Sequence, residues 1–237
     1  MSKLYIIIPA YNEEENIEKV IKEWYPIIEH HNGNGDSRLV VIDDGSKDST
    51  YRIVKKCAQS MPLIEPVTKS NSGHGPSVLF GYHYAIEKGA DYIFQTDSDG
   101  QTVSDDFQQF WEEREQYDMI IGNRNKREDG FIRVIVTKVL KFTIRLCFGV
   151  SIKDANTPFR LMKADTLKQY IKQIPNDFNL SNVLISVIYA KKNLAVKYIP
   201  ITFHARQGGV NSINLKKIIG IGKKAWKDFR IINEEIK

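Results

Sequence analysis

Largely apolar runs at residues 4–8, 39–42, 63–67, 92–94 and 119–121 alternate with stretches whose apolar positions recur every three to four residues. Short runs of this kind, rich in Ile and Val, fit strands buried on both faces, and the stretches between them fit helices. Between the first two runs, Ile17, Val20, Ile21 and Trp24 share one helical face, with Asn12 as a cap and Glu13, Glu14 and Glu15 in the first turn. Pro26 is expected to end or kink that helix. Further helices are predicted over 50–59, 77–88 and 104–116, so the first half reads as βαβαβαβαβ with a mostly parallel central sheet. After residue 130 the pattern changes to a helix over 131–148, a short strand near 159–162, a helix over 181–192, a strand over 196–203 and a final helix over 214–232.

A chain of 237 residues that is 42% hydrophobic can bury a full core, and no Gly/Ser/Pro-rich linker divides it, so one domain over 1–237 is expected. The start carries too short an apolar run for a secretory signal, and no run of about eighteen apolar residues would span a bilayer. Cys57 and Cys147 are too few for a disulfide framework, which suits a reducing compartment, and cytoplasm is the expected location. Charge is split along the chain: residues 1–130 carry −9 and residues 131–237 carry +14, giving the net +5. The C-terminal part is therefore suited to an anionic partner. In the helix over 131–148, Arg133, Lys138, Lys141 and Arg145 fall within about 140° of one another, opposite Ile132, Ile135, Val139, Phe142 and Leu146. The helix over 215–232 sets Lys216, Lys217, Lys223, Lys224, Lys227 and Arg230 against Ile218, Ala225, Trp226, Phe229 and Ile232. Such basic amphipathic helices fit either the interface of an anionic bilayer or a core with a lysine-rich outer face.

Residues able to do chemistry gather at the ends of the strand-like runs. Thr96-Asp97-Ser98-Asp99-Gly100-Gln101 follows the fourth run. Two carboxylates one residue apart can share a hard divalent cation that also takes the oxygens of a diphosphate, and Gln101 offers another oxygen. The same residues make ordinary turns, so this segment gains its weight from its neighbours. The second run delivers Asp43 and Asp44 onto Gly45-Ser46-Lys47-Asp48-Ser49-Thr50, where a carboxylate can accept from a base N–H or a ribose hydroxyl and Asp48 or Ser49 can cap the next helix. Pro9-Ala10-Tyr11-Asn12-Glu13-Glu14 follows the first run, bringing an aromatic face and an acceptor for a base. Asn71-Ser72-Gly73-His74-Gly75 can bring backbone amides to a phosphate but lacks the Lys-Ser/Thr ending of a P-loop, which argues against an NTPase. His74 has no second His or Cys at ligand spacing and reads as a polar loop residue rather than a metal ligand.

In this order the four segments resemble the PxYNEE, DDGSxDxT, NxGxG and DxDGQ pattern of family 2 glycosyltransferases, continued by Gly122-Asn123-Arg124 where relatives carry GxR. Within that family the chain is most similar to dolichyl- and polyprenyl-phosphate mannosyl- and glucosyltransferases. The resemblance implies the GT-A fold, a Rossmann-like α/β architecture with C-terminal amphipathic helices, in which 1–125 binds the nucleotide-sugar and 126–237 the acceptor. By the same resemblance Pro9, Tyr11, Glu13 and Asp44 would hold the nucleotide, with Asp43 beside them and Asn71 and Gly73 in the donor loop. Asp97, Asp99 and Gln101 would bind Mg²⁺ or Mn²⁺ with the donor diphosphate, and Arg124 and Arg133 would meet phosphates. Asp154, in Asp154-Ala155-Asn156-Thr157-Pro158-Phe159-Arg160, matches a D-x-T-x-G-F-R segment, with Pro158 in place of glycine. Arg206 resembles the arginine of an R-x-x-G-x-S-K loop that closes over the diphosphate, although Asn211 and Ser212 replace its serine and lysine.

The implied reaction is inverting transfer of a sugar from a UDP- or GDP-sugar. One departure bears on the acceptor: relatives carry a glutamate shortly after a phenylalanine before the last strand, whereas Phe178-Asn179-Leu180-Ser181-Asn182-Val183 holds no acid. A sugar hydroxyl needs a base to take its proton; a phosphate, already anionic, does not. Polyprenyl phosphate is therefore the expected acceptor, with a saccharide hydroxyl as the alternative and Asp154 as its candidate base. Work on such a lipid would bring the chain to the cytoplasmic membrane face as a peripheral protein. A sugar-nucleotide pyrophosphorylase would open on a basic glycine-rich loop rather than PAYNEE. A basic nucleic-acid-binding module would leave the acidic first half unexplained, and no nucleic-acid partner is expected.

Overall fold

The computed structural model describes residues 2–33, 35–124 and 130–204, together with residues 226, 228, 229 and 233; over 130–136 it describes the backbone alone. The first half runs β1 (Leu4–Ala10), α1 (Ile17–His30), β2 (Arg38–Asp43), α2 (Thr50–Ser60), β3 (Ile64–Thr68), α3 (His74–Glu87) and β4 (Tyr92–Gln95). A 3-10 turn (Ser104–Asp106) then leads into α4 (Phe107–Glu112) and β5 (Met119–Asn123). The second half adds α5 (Gly130–Phe148), β6 (Arg160–Lys163), α6 (Ala164–Tyr170), α7 (Ser181–Lys191) and β7 (Val196–Pro200).

The strands form one seven-stranded sheet in the order β3-β2-β1-β4-β6-β5-β7. All neighbours pair in parallel except β6, which runs antiparallel to both β4 and β5. Every residue of β1 is buried, as a central strand covered on both faces must be. The alternation of side chains divides the core accordingly. Ile7, Val40, Ile42, Ile93 and Ile121 pack with α3, α5, α6 and α7, while Ile6, Ile8, Val41, Phe94 and Ile120 pack with α1, α2 and α4. On the second face Trp24 of α1, 1% exposed, meets the rings of Phe94 at 5.2 Å and Phe159 at 5.8 Å. The chain reverses direction across the sheet between β1 and β4, and in open α/β sheets ligands settle at such a switch point, beyond the carboxyl ends of the strands.

The sequence expectations need several corrections. Asn12 does not cap α1; it takes a left-handed φ of 53° and bonds across to the next loop, donating from its amide to Ser46 Oγ and accepting from Lys47 N. The helix starts only at Ile17, after a turn in which Glu13 O receives Asn16 N and Ile17 N, so the three glutamates precede it. Pro26 does not end α1, because burial of Ile21, Trp24 and Ile28 along one face outweighs the one backbone bond proline removes. α3 begins three residues early, inside the Asn71–Gly75 segment, and the helix expected over 104–116 is shortened to α4 with turns at either end. β7 stops at Pro200, and α6 was not anticipated. The final helix lies mostly outside the described residues; within it, residues 226, 228 and 229 are helical, as is 233 just beyond, and Phe229 packs on Phe148 and Phe178.

Candidate active site

The carboxyl ends of β1, β2, β4, β5 and β7 open on one edge of the sheet, and the antiparallel β6 brings 154–160 to the same edge. Each motif from the sequence arrives there on a strand end. Pro9 is buried in β1, and Tyr11, just beyond it, is 42% exposed. Glu13 is nearly buried; its amide donates to Thr50 Oγ1 and its carboxylate accepts from Asn16 Nδ2.

Asp43 and Asp44, both buried, are bound by protein groups. Asp43 accepts from Ser46 N at 3.2 Å and Thr68 Oγ1 at 2.7 Å. Asp44 accepts from Ser72 N at 2.9 Å, Gly73 N at 2.8 Å and the ammonium of Lys69, while its backbone carbonyl receives Asn71 Nδ2 at 2.9 Å. Asp44 therefore acts as the pin of the loop that follows β3. Gly45, at φ 67°, lets that loop close, since a Cβ there would stand 2.9 Å from Asn71 N and 3.1 Å from Lys69 O. Burial alone would raise the Asp44 pKa, but Lys69 and the amides of Ser72 and Gly73 hold it below the ordinary carboxylate value. Its stabilising effect is then complete above about pH 4 and is lost as pH falls through the lowered folded value. Asp44→Asn should melt well below the parent at neutral pH, with the gap narrowing below about pH 4, in thermal melts taken between pH 7 and pH 3.

The acidic pair sits at the end of β4. Asp97 lies 3.0 Å from Nε2 of His74 at the start of α3, and Asp99 accepts from Gln101 N at 3.2 Å within its own turn. Sequence reading took His74 as an ordinary loop residue, and its contact with Asp97 was missed. Desolvation disfavours charge on the ring, but Asp97 and more distantly Asp99 and Asp44 outweigh it and raise the pKa above the usual histidine value. The backbone on either side of His74 is held in place. Gly73 N is held by Asp44, and a Cβ on Gly75 would come within 2.4 Å of the carbonyl oxygens of Phe178 and Asn179. Gln101 Nε2 donates to His204 O at 2.9 Å, and His204 N donates to Gln101 O at 2.8 Å, tying the segment after β7 to the acidic turn.

This set of groups fits a hard divalent cation. Among the described residues no three His, Cys, Asp or Glu side chains form a complete metal cage. Two carboxylates with an amide oxygen beside them suit a cation such as Mg²⁺ or Mn²⁺ that draws its remaining ligands from substrate phosphates and water.

Just beyond β5 and ahead of β6, Arg124 and Asp154, assigned separate roles by sequence, form one bidentate pair, Nε to Oδ2 at 3.0 Å and Nη2 to Oδ1 at 2.9 Å. The Asp154 side chain is 5% exposed, and a carboxylate so buried requires an opposite charge. The pairing uses two of the five N–H donors of the guanidinium. Beneath it the fully buried Arg160 donates to the carbonyls of Ala155, Thr157 and Asn182 and so fixes the 154–157 turn. Lys69 and Arg160 were likewise missed; the latter was legible only as the last residue of its motif. The Arg133 side chain and Arg206 lie outside the described residues, although His204, two residues before Arg206, is bonded to Gln101.

Residues 5–171 match the family model described as Glycosyl transferase family 2. The chain is 27% identical over 230 residues to the UDP-N-acetylglucosamine–dolichyl-phosphate N-acetylglucosaminyltransferase of Methanococcus voltae, covering 81% of this chain and 88% of the relative. It is 23% identical to the polyprenol monophosphomannose synthase of Mycolicibacterium smegmatis, covering 88% and 80%. In fold it is similar to the glucosyl-3-phosphoglycerate synthase of Mycobacterium tuberculosis, solved with UDP, at a TM-score of 0.68 and 16% identity over 98% of this chain and 80% of that one. The same enzyme solved with Mn²⁺, UDP-glucose and glycerol 3-phosphate superposes at a TM-score of 0.65.

Proposed function

The chain belongs to glycosyltransferase family 2 and is a glycosyltransferase of the GT-A fold, and from that premise we propose that it transfers a sugar, with inversion, from a UDP- or GDP-sugar to polyprenyl phosphate. Relatives named for dolichyl-phosphate and polyprenol acceptors support this reading. The observation that carries it is the state of Asp154, the one candidate base from sequence, whose two oxygens are both held by Arg124. An acceptor that must lose a proton is poorly served by such a carboxylate, whereas a lipid phosphate needs no base.

In this reading Pro9, Tyr11, Glu13 and the loop pinned by Asp43 and Asp44 hold the nucleotide, with Asn71 and Gly73 closing over the donor. Asp97, Asp99 and Gln101 would hold Mg²⁺ or Mn²⁺. When bound, the cation neutralises charge that builds on the departing diphosphate. An acceptor phosphate oxygen forms the new bond to the anomeric carbon as the bond to the diphosphate oxygen breaks, and the nucleoside diphosphate leaves with the electron pair. The remaining N–H donors of Arg124, with Arg133 and Arg206, orient phosphates. In this reading the acceptor lies in a membrane, which the chain meets as a peripheral partner at the cytoplasmic face; among the described residues no helix is long and apolar enough to cross one.

The test measures nucleotide release from a panel of UDP- and GDP-sugars with Mn²⁺, with and without polyprenyl phosphate. Release that needs both metal and lipid, stops with a chelator and returns with Mn²⁺ is the expected result. Metal-dependent release indifferent to the lipid but stimulated by a saccharide would replace the acceptor proposed here.

A further inference from the structure

We propose that α5 docks the chain on an anionic phospholipid surface through the stripe Val139, Phe142 and Leu146, with Lys138, Lys141 and Arg145 beside it. The periodicity of α5 allowed this stripe to face the core, but the structure turns it outward. Val139 is 56% exposed, Phe142 67% and Leu146 60%. The helix is instead seated by Ile144 and Phe148, with Leu140 and Cys147 packed against the same core and Phe229 closing on Phe148. At 100° per residue the three apolar side chains fall within about 60° of one another, with the three exposed cations along one flank. α5 carries no acidic residue.

Charge decides between the possible occupants. An acid-free apolar stripe edged with cations is complementary to anionic headgroups over acyl chains. In a two-fold contact between copies, the same patch would set six cations against one another, which is unfavourable.

The position of the helix gives the contact a purpose. Its 19 residues span about 28 Å, while six residue steps join Arg124 to Gly130 and another six join Phe148 to Asp154. Each tether reaches at most about 21 Å, and Arg124 and Asp154 are in contact. Neither end of α5 can therefore leave the site, and the middle of the helix stays within about 20 Å of the Arg124–Asp154 pair. A lipid surface held there lies beside the active-site edge. This geometry stands whether or not the acceptor is a lipid phosphate.

Two full-length variants test the surface: Val139→Ser/Phe142→Ser/Leu146→Ser and Lys138→Gln/Lys141→Gln/Arg145→Gln. All six side chains are exposed, so melting temperatures should match the parent. Flotation with phosphatidylcholine vesicles, with or without about a third phosphatidylglycerol and free of polyprenyl phosphate, separates docking from acceptor recognition. The parent should bind the anionic vesicles at least about tenfold more tightly than the neutral ones, and each variant should lose at least about tenfold on the anionic vesicles. Binding of Mn²⁺ in the presence of nucleoside diphosphate should not change. Equal flotation of parent and variants overturns the proposal. So does a parent that runs as a dimer and becomes monomeric in the serine variant, since the stripe would then be an interface between copies.

Discussion

Replacing Asp97 and Asp99 together by alanine is expected to lower metal-dependent sugar transfer by at least about 10³-fold while leaving the fold intact. The size follows from the role proposed for them: stabilising the charge of a departing diphosphate is worth several kcal/mol, and each 1.4 kcal/mol is about tenfold in rate. The stability cost should be small. The Asp97 side chain is 28% exposed and its His74 partner 53% exposed, and an ion pair open to solvent contributes at most about 1 kcal/mol. Asp97→Asn/Asp99→Asn keeps one oxygen of each carboxylate but removes the charge and should fall between parent and alanine variant, with partial recovery at high Mn²⁺. Binding of Mn²⁺ in the presence of nucleoside diphosphate, followed by calorimetry, gives a readout separate from turnover. An alanine variant that keeps a tenth of the parent activity, or binds Mn²⁺ unchanged, would remove the pair from this role.

The second large effect is expected at Arg160→Met, a substitution of similar length that no ligand should touch. Arg160 is fully buried and delivers four N–H···O=C bonds to Ala155, Thr157 and Asn182, with a longer one to Ser186 Oγ. Ser186 Oγ also reaches the carbonyls of Ala155 and Asn182, so the heaviest loss falls on Thr157 O. An unsatisfied buried carbonyl costs about 1–3 kcal/mol, and with the two weakened ones the total should reach about 2–4 kcal/mol. For a chain of this size that corresponds to a fall in melting temperature of about 5–15 °C. Activity measured well below the new melting point should fall too, because the 154–157 turn carries Asp154 and through it Arg124. Arg160→Lys keeps the charge but not the fork and should recover only part of either loss. An unchanged melting temperature would mean that the turn is fixed by other contacts.

Much of the fold was legible because the central strands are apolar on both faces. Residues 4–8 could be read as a strand without knowing their partners, and the four polar segments each follow such a run. What stayed hidden depends on residues far apart in the chain. Nothing local at Arg124 or Asp154 announces that they pair across thirty positions, and Gln101 meets His204 across 103. The contact of His74 with Asp97 stayed hidden for the same reason: the neighbours of His74 in sequence are small and polar, whereas its partner arrives on another strand. The outward stripe of α5 was ambiguous because a core-facing and a lipid-facing helix share one periodicity, and only exposure separates them. Pro26 failed as a stop signal because its penalty is local and the packing that overrides it is not.

The antiparallel β6 has a consequence for how the chain is made. β5 pairs with β6 on one side and β7 on the other, and both are translated after it. β1 to β4 can assemble as they leave the ribosome, since each neighbours another of the four. Met119–Asn123 cannot pair until Arg160–Lys163 has been synthesised, a delay of a few seconds at ordinary elongation rates. Through that interval the nascent chain carries an apolar strand with both edges bare, the kind of segment that recruits other chains. A message or polypeptide cut between residues 124 and 160 would make that transient hazard permanent.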